Sequence, residues 1–412
     1  MRLVSNPEPE AGGYKKDTIV ELQAIPADNW KFAHWTGDID GNSQVITVKM
    51  DSPKNIKAVF SKDTHFIYVI VQGNGKVEET VLAGRGVYEY GSVVELKAVP
   101  DDGWLFSHWE LDATGTTNPL VVYVDKSRQV RAVFKESSLR VPEQYKTIQA
   151  AINAAGPGYE IVVSPGTYNE NLDLTGKKNI TIRGTNPDDP LTILATVIDG
   201  DKKGPCILID QYADVTISGL TLTNGSGVPM SGDYAYGGGI YLGQYSKAVI
   251  SNCAITGNTG SHGAGIYSNN STLTLTDTLI SDNYASFTGA GIWMSNGQGA
   301  NTISNCTIIN NEASYGGGMY ISFSSVSITD NDIGGNTAAI GGAAMFATSA
   351  NITFVDNNVT NNSSTTSDGV VSIAQSVKVK DKDGNEMTTE EEILAVNDFS
   401  DNTPGGVQFT ES

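Results

Sequence analysis

One pattern returns every 26 or 27 residues and limits the fold more than any other feature. A glycine-rich kink, an aliphatic residue and an aromatic residue follow in the same order in "GGGIY", "GAGIY", "GAGIW", "GGGMY" and "GAAMF". A repeat of this length holds about three strands with their turns, which is what one coil of a parallel β-helix requires. The residues before the aliphatic position are Gly239, Gly265, Gly291, Gly318 and Ala344, at spacings of 26, 26, 27 and 26.

A second column runs beside the first. Its members close five nonamers and are Asn258, Asn283, Asn311, Asn336 and Asn362, with an aliphatic residue three positions before each. In stacked coils, equivalent residues lie about 4.8 Å apart. We predict that the aliphatic column fills the interior. We predict that the Asn column forms a tight corner, because Asn tolerates the left-handed backbone and its amides can hydrogen-bond along the axis. The repeated glycines allow a bend that a Cβ would obstruct.

The front of the chain is built twice. "VELQAIPADNWKFAHWTGD" from Val20 and "VELKAVPDDGWLFSHWELD" from Val94 are copies at an offset of 74. Both alternate apolar and polar residues between turn-forming stretches, as expected of short strands. The second copy opens with "FIYVIVQGNGKV" at Phe66, and the same offset places its twin before Met1. We therefore expect the chain to begin inside a repeat, with a signal peptide further upstream.

These copies resemble divergent internalin-B-type B-repeats through their "V-x-L-x-A-x-P…W-x-F-x-x-W" and "A-V-F" patterns. The resemblance implies small β-grasp-like spacer modules that are usually extracellular, here at 1–62 (first strand missing) and 63–137. His34 and His108 share one position of the motif. One histidine per module cannot form a metal site, so we predict a packing or turn role.

The chain after Arg140 opens with a helix signal, "YKTIQAAINAAGPG". Thr147 suits the N-cap, Ile148 and Ile152 share a face, and Gly156 suits the end. The stretch from Thr147 to Gly184 resembles the first coil of pectin-lyase-like β-helices, and the "GGGI" repeats resemble those of polymorphic outer-membrane proteins. We predict an all-β chain: two β-grasp-like modules, then a right-handed parallel β-helix over 138–400, with about 26 residues per coil and an N-terminal helix cap. A tail follows at 401–412.

Charge limits the function of the second part. Net charge is −20, and residues 141–412 hold 10 Lys and Arg against 27 Asp and Glu. This balance argues against nucleic acid and anionic membrane as partners, and no apolar run approaches a membrane span. β-Elimination on a uronate needs a base, and often a cation. No arginine follows Arg183, however, and Lys247 is the only lysine or arginine between Lys203 and Lys378. We therefore predict no catalytic residue.

Acidic side chains offer two alternatives to this prediction. Asp277, Asp330 and Asp356 share one column with Asn252 and Asn305. Paired carboxylates could hydrolyse a glycoside, and their oxygens could bind calcium. We interpret the column as corner residues and predict no metal site or cofactor, with calcium as the open alternative. "DKDGNE" from Asp381 lacks the glycine spacing of an EF-hand and predicts a hairpin turn.

Two further residue types have structural interpretations. Cys253 and Cys306 share a column two coils apart, too far for a disulfide, so buried thiols are expected with Cys206. His262 stands beside the glycine bend, where a structural role is favoured over Ser/His/Asp catalysis.

A third column carries the functional prediction. One residue after each aliphatic position stand Tyr241, Tyr267, Trp293, Tyr320 and Phe346. If the aliphatic residues point inward, strand alternation turns these rings outward, as candidate ligand-binding residues that stack on sugars. The alternative is a packing ladder. We expect an extracellular, non-catalytic adhesion, binding or structural protein that contacts a polysaccharide or surface protein. The alternative function is a pectin-lyase-like polysaccharide lyase or hydrolase. Oligomeric state stays open.

Overall fold

The computed structural model describes residues 1–84, 88–230, 233–366, 369–374, 376–403 and 405–410. The chain divides into two compact units, Met1–Glu136 and Ser137–Ser412. The first unit contains both B-repeat-like modules and the second contains the coils. Each unit is described by itself below.

The first module consists of antiparallel strands with one buried tryptophan. Three strands pair in the order Arg2–Asn6, Thr18–Ile25, Val45–Met50, and Trp30–Gly37 pairs with Ile56–Lys62. Trp35 is fully buried, and its indole N–H donates to the Ser43 carbonyl at 2.7 Å. Because this hydrogen bond satisfies the polar N–H of the indole, the large ring can be buried in a small core.

The second module repeats this plan with one additional strand. Gly75–Ala83, Val93–Pro100 and Leu120–Tyr123 form one sheet, and Ile67–Gln72, Arg128–Glu136 and Trp104–Leu111 form the other. Trp109 takes the place of Trp35, with its N–H on the Thr117 carbonyl at 2.9 Å. Ile67–Gln72 pairs in parallel with Arg128–Glu136. The described part of the first module has no counterpart to this strand.

The second unit is a parallel β-helix that starts under a helical cap. Ser138–Val141 precedes the helix Ile148–Ala154. Thr147 is its N-cap, as predicted, and accepts from the Ala150 amide. Ile148 and Ile152 are fully buried against the first coil, so the helix covers the apolar end of the interior. The helix ends two residues before Gly156, with Ala155 as its C-cap.

Four sheets run along the described part of this unit, here named A to D. Sheet A contains, in spatial order, Ser138–Val141, Glu160–Val163, Lys178–Gly184, Asp214–Ser218, Lys247–Ser251, Thr272–Thr276, Asn301–Ser304, Ser325–Thr329, Asn351–Val355, Lys378–Lys380 and Glu386–Met387. Sheet B contains Gly166–Asn169, Thr196–Asp199, Thr221–Thr223, Ala254–Thr256, Leu279–Ser281, Thr307–Ile309, Asp332–Gly334, Asn358–Thr360 and Asp398–Ser400.

The other two sheets complete each coil. Sheet C contains Leu172–Asp173, Ile207–Ile209, Ile240–Leu242, Ile266–Asn269, Ile292–Ser295, Met319–Ser322, Met345–Thr348, Val371–Ala374 and Val407–Thr410. Sheet D contains Val228–Pro229, Ala235–Tyr236, Thr259–His262, Tyr284–Thr288, Glu312–Tyr315, Thr337–Gly341 and Ser363–Ser364. Sheet D follows sheet B along the chain and precedes sheet C, so the later coils have four sides.

The interior consists of stacked columns of like residues. The aliphatic column is fully buried, as predicted, and contains Ile255, Ile280, Ile308, Ile333 and Val359. The Asn column is buried beside it, and each amide nitrogen donates to the next Asn oxygen at 2.9–3.1 Å. One detail of the prediction was wrong. The left-handed residue is the one before each Asn, for example Asp282 before Asn283 and Asn310 before Asn311. The Asn side chains point inward and bind the corner together.

Two glycines of each of the first four repeats have separate roles. Gly289, the first of its triplet, has φ +60°, and a Cβ there would lie 2.9 Å from the Trp293 Cβ. Gly291, the third, has an ordinary φ, but a Cβ there would lie 2.4 Å from the Gly318 carbonyl oxygen of the next coil. The first glycine therefore makes the bend between sheets D and C, and the third allows close approach of successive coils.

The chain leaves this repeat in two places. The helix Pro190–Ala195 is inserted between Lys178–Gly184 of sheet A and Thr196–Asp199 of sheet B, and its Ile193 carbonyl accepts from the Thr221 hydroxyl. Near the other end, Lys378–Lys380 and Glu386–Met387 form the predicted hairpin, with Gly384 at φ +86°. The helix Glu390–Leu394 follows. The predicted tail after residue 400 differs from the structure, since Val407–Thr410 pairs with Val371–Ala374 in sheet C.

Candidate functional site

The predicted aromatic row lies on the outward side of sheet C. Strand register places Tyr241, Tyr267, Trp293, Tyr320 and Phe346 directly beside one another. The residues that alternate with them, such as Ile292 and Met294, are fully buried. Tyr267 is buried and the other four rings are partly exposed. The row is therefore outside the coil interior.

The rings stack face to face on one another. Tyr267 and Trp293 have centroids 4.5 Å apart with an interplanar angle of 5°, and Tyr320 and Phe346 are 5.5 Å apart at 6°. The strand spacing of about 4.8 Å explains this, because it is close to the distance at which stacked rings pack. Most ring faces in the row are thus covered by neighbours, and the row presents mainly ring edges. The row therefore does not form a flat strip of exposed ring faces on which sugars could stack along its whole length.

A second aromatic column flanks the row along the bend. Tyr236, His262 and Tyr315 are the residues directly before the kink glycines on sheet D. Tyr236 contacts Tyr267 at a centroid distance of 5.0 Å, and Tyr315 contacts Phe346 edge-on at 5.2 Å. The glycine bend brings these side chains against the row, since it turns the outward faces of sheets C and D toward each other.

Two exposed rings extend this cluster away from the bend. Phe287 is 43% exposed and stacks on His262 with centroids 5.7 Å apart. Tyr234, also exposed, lies 5.2 Å from Phe287. Ten rings are then connected by contacts, and we name this surface the aromatic corner: Tyr234, Tyr236, Tyr241, His262, Tyr267, Phe287, Trp293, Tyr315, Tyr320 and Phe346.

Burial dominates the electrostatics of the aromatic corner. It raises the pKa of Tyr241 and Tyr320, and the Asp210 carboxylate raises the pKa of Tyr241 further. Burial also lowers the pKa of His262, whose Nδ1 lies 2.5 Å from the Thr288 hydroxyl. No lysine or arginine lies on any described strand of sheets C and D. The corner is thus apolar, with tyrosine hydroxyls and with acidic rather than basic residues near it, among them Asp210, Asp233 and Glu312.

The other candidate residues have structural surroundings. The corner residues Asn252, Asp277, Asn305, Asp330 and Asp356 all have the left-handed conformation, and Asn305 donates to the Asp277 carboxylate. Within the described residues no group of three or more His, Cys, Asp or Glu side chains is placed to hold a metal ion. Calcium binding stays an untested alternative.

The histidines and cysteines outside the aromatic corner are also separate from one another. His108 contacts Glu110 through Nε2 at 3.0 Å, while His34 is exposed. Cys206, Cys253 and Cys306 are buried free thiols, and burial raises the pKa of each to about 12.

Sequence reasoning missed half of the aromatic corner. The row was found from the residue after each aliphatic position. The same alignment holds a second signal directly before the kink, in "YGGG", "HGAG" and "YGGG". Phe287 and Tyr234 follow no period, because sheet D contains register shifts around Thr288.

No helix within the described residues has the length and apolar character to span a membrane.

Comparison with known proteins identifies both parts of the chain. The family model described as right-handed beta helix region matches residues 175–412. The model described as divergent InlB B-repeat domain matches residues 4–64 and 68–138. No curated protein matches the chain. The GGGI detail of the sequence resemblance is not part of either match.

Among solved structures, pectin methylesterases are similar to this chain. One is a mutant in complex with a hexasaccharide, at 15% identity and TM-score 0.31, covering 65% of this chain and 84% of that one. Another is the pectin methylesterase from Aspergillus niger, at 18% identity and TM-score 0.31, covering 57% and 87%. Likeness of this size says nothing about activity.

Proposed function

We propose a binding function for this chain, which belongs to the family of right-handed β-helix regions. It binds carbohydrate without converting it, through the aromatic corner, as part of an extracellular surface protein in which the two B-repeat modules act as a spacer. The observation that carries this proposal is the unbroken contact of ten rings between the inner row and the exposed Tyr234 and Phe287.

Exposure of this surface supports a ligand rather than packing alone. The row, whose faces are mutually covered, needs no further ring to be stable. Phe287 and Tyr234 nevertheless extend the apolar area to the outside, where they cost free energy unless something covers them. Phe287 lies on the register-shifted strand Tyr284–Thr288, and Tyr234 lies directly before the strand Ala235–Tyr236. Both positions are outside the repeat, so the coil architecture does not require them.

The chemistry of the aromatic corner favours a neutral carbohydrate. Sugar rings offer apolar C–H faces and hydroxyls, and the corner offers the exposed apolar rings of Phe287 and Tyr234 and the hydroxyls of Tyr241 and Tyr320. A charged ligand is less suitable. An anion would find no basic side chain on the described strands of sheets C and D and would meet Asp210. The proposal needs no metal or cofactor.

The test is retention on immobilised neutral polysaccharides, with release of reducing ends measured in the same samples. We expect retention without products, unchanged by EDTA. Phe287→Ala should weaken it at least tenfold, and Tyr234→Ala should also weaken it. Phe323→Ala is the matched control, since this ring is 64% exposed in a turn between sheets C and A and belongs to no part of the aromatic corner.

Three outcomes would contradict the proposal. Product release that disappears in Asp210→Asn would replace binding with catalysis. Retention that survives both corner substitutions would place the ligand elsewhere. Absence of retention on every glycan would favour a protein partner or a purely structural role for the coils.

A further inference from the structure

Two exposed tyrosines outside the aromatic corner form a second aromatic surface. Tyr212 and Tyr245 occupy the turns between sheets C and A in successive coils and are 59% and 58% exposed. Their rings stack with centroids 5.4 Å apart and an interplanar angle of 21°. Unlike the row on sheet C, this stack contains only two rings, and the next coil has Asn270 in the turn. One face of Tyr245 is therefore covered by Tyr212 and the other is not covered by a stacked ring.

The backbone of both turns adopts a conformation that bulky residues rarely accept. Gln211 and Tyr212 have φ of +55° and +62°, and Gln244 and Tyr245 have +36° and +59°. The left-handed backbone is unfavourable for residues other than glycine. Later coils make the same turn with a single left-handed residue such as Asn270 or Ser349. The two tyrosines are thus held outward by a turn that the fold does not require.

A lysine supports the stack from the other side. Lys178, in the preceding coil, places Nζ 5.7 Å from the Tyr212 ring centroid and also donates to the Tyr212 carbonyl. A cation over a ring face is attracted by the ring quadrupole. Tyr212 is therefore fixed between Lys178 and Tyr245, which orders Tyr245 before any ligand arrives.

Lys247, the only lysine or arginine between Lys203 and Lys378, lies beside these two tyrosines. Lys247 follows Tyr245 by two residues and begins a strand of sheet A, in register with Asp214 and, beyond it, Lys178. Ala248 is buried, so Lys247 points outward, and its side chain is exposed. Lys178 and Lys247 thus stand beside the tyrosines together with Asp214, and the partly buried Asp210 precedes Tyr212 by two residues. The two lysines offset these carboxylates on a part of the chain that is otherwise acidic.

We propose that Tyr245, backed by Tyr212 and Lys178, is the stacking surface of a second carbohydrate site, where Lys247 binds the carboxylate of a uronic acid residue. The open ring face accepts the C–H face of the sugar, and the ammonium group supplies the charge that a uronate requires. Asp214 opposes this and lowers the affinity for the acid. The site is separate from the aromatic corner. Its ligand is acidic, whereas the ligand proposed for the aromatic corner is neutral.

The experiment uses trigalacturonate and its fully methyl-esterified form, titrated into the whole chain by calorimetry. The two probes share their ring faces and differ in charge. We expect the acid to bind at least tenfold more tightly at low salt, and this preference to shrink in about 0.5 M NaCl because salt screens exposed charges. Tyr245→Ala should weaken binding of the acid at least tenfold.

Charge variants separate the two contributions. Lys247→Gln should remove most of the preference for the acid, and Asp214→Asn should increase affinity for the acid severalfold. Both are exposed surface changes that leave the stacked rings in place. Phe323→Ala, in the equivalent turn three coils later with no lysine beside it, should change nothing.

The outcomes also distinguish this site from the aromatic corner. Phe287→Ala should leave trigalacturonate binding intact, and Tyr245→Ala should leave retention on neutral glycans intact. Equal affinity for acid and ester, absence of binding to either probe, or full binding by Tyr245→Ala would overturn the proposal. Loss of trigalacturonate binding in Phe287→Ala would assign both ligands to the corner.

Discussion

Aromatic residues lie inside the front modules and outside the coils. Trp35 and Trp109 are 0% and 1% exposed, and each is the largest side chain of its module's core. In the β-helix the repeated aromatic position points outward, while the interior columns consist of aliphatic side chains and smaller polar ones such as the Asn column, with Phe354 as an exception. The same residue class thus stabilises one unit and furnishes a surface on the other.

The difference follows from how each unit builds its core. A module of about 70 residues has little interior and gains from burying a large ring once. A coil encloses a narrow interior with strands of three to five residues and repeats it every 4.8 Å or so. Aliphatic side chains of one size fill such a column at each level. Rings are thereby free to take the outward positions, where the same spacing stacks them.

The largest expected effect is on the buried ring. Trp109→Ala should lower the free energy of unfolding of its module by about 3–5 kcal/mol, through lost burial and a cavity. Trp293→Ala should cost clearly less, because that ring is partly exposed and the interior beneath it is unchanged. Denaturant titration followed by hydrogen exchange of each unit measures both. Equal costs would show that the aromatic row is as much a core as the tryptophan pair.

The second-largest loss of stability is expected in the buried asparagine column. Asn311→Ala removes the partner of the Ile280 carbonyl and of the Asn283 amide, both buried. Each orphaned group costs about 1–3 kcal/mol, so we expect a loss of about 2–4 kcal/mol in the second unit by denaturant titration. Asn305→Gly, at an exposed left-handed corner, is the control and should stay within about 0.5 kcal/mol. A small effect of Asn311→Ala would mean that water replaces the amide ladder.

The glycine bend offers a smaller and more local test. Gly289→Ala should cost about 1–2 kcal/mol for the left-handed backbone, and more because the new methyl group would lie 2.5 Å from the Ile292 carbonyl oxygen and 2.9 Å from the Trp293 Cβ. Gly384→Ala has a positive φ but no atom within 4 Å, so it measures the backbone cost alone. Thermal unfolding and near-ultraviolet circular dichroism compare them. Identical losses would mean that the ring row tolerates displacement.

Protonation of His262 should give the smallest effect. Burial holds the pKa of this imidazole below its ordinary value of 6.5. As pH falls below about 6.5, the unfolded chain takes up a proton that the folded chain resists, so stability decreases until the folded pKa is passed. His262→Gln should therefore reduce the stability lost between about pH 7.5 and about pH 5. His34→Gln serves as the exposed control, and an equal pH slope in both variants would contradict this role.

Periodicity predicted whatever repeats and nothing that interrupts the repeat. The aliphatic column, the asparagine ladder and the outward row all follow from spacings of 26 and 27. The ring stacking in the row could also have been foreseen, because the strand spacing is close to the stacking distance. The exposed Phe287 could not, since it depends on a register shift in sheet D.

The end of the β-helix was likewise hidden by residues inserted into the repeat. Asn362 donates to Asn402, 40 residues on, where the ladder otherwise advances by about 26. The hairpin and the helix Glu390–Leu394 occupy the difference. A search for a fixed period therefore stops before the last coil, although the amide contact continues through it.

The asparagine ladder makes the coil a unit of construction. Each Asn of the ladder hydrogen-bonds to the Asn of the neighbouring coils and to nearby backbone carbonyls, and each ring of the row stacks on the rings of the neighbouring coils. Removing or adding one whole coil would leave every remaining column in register and change the molecule's length by one strand spacing, about 4.8 Å. Removing a single residue would shift all columns at once. Length of the binding face can thus vary in whole coils, with its local chemistry unchanged.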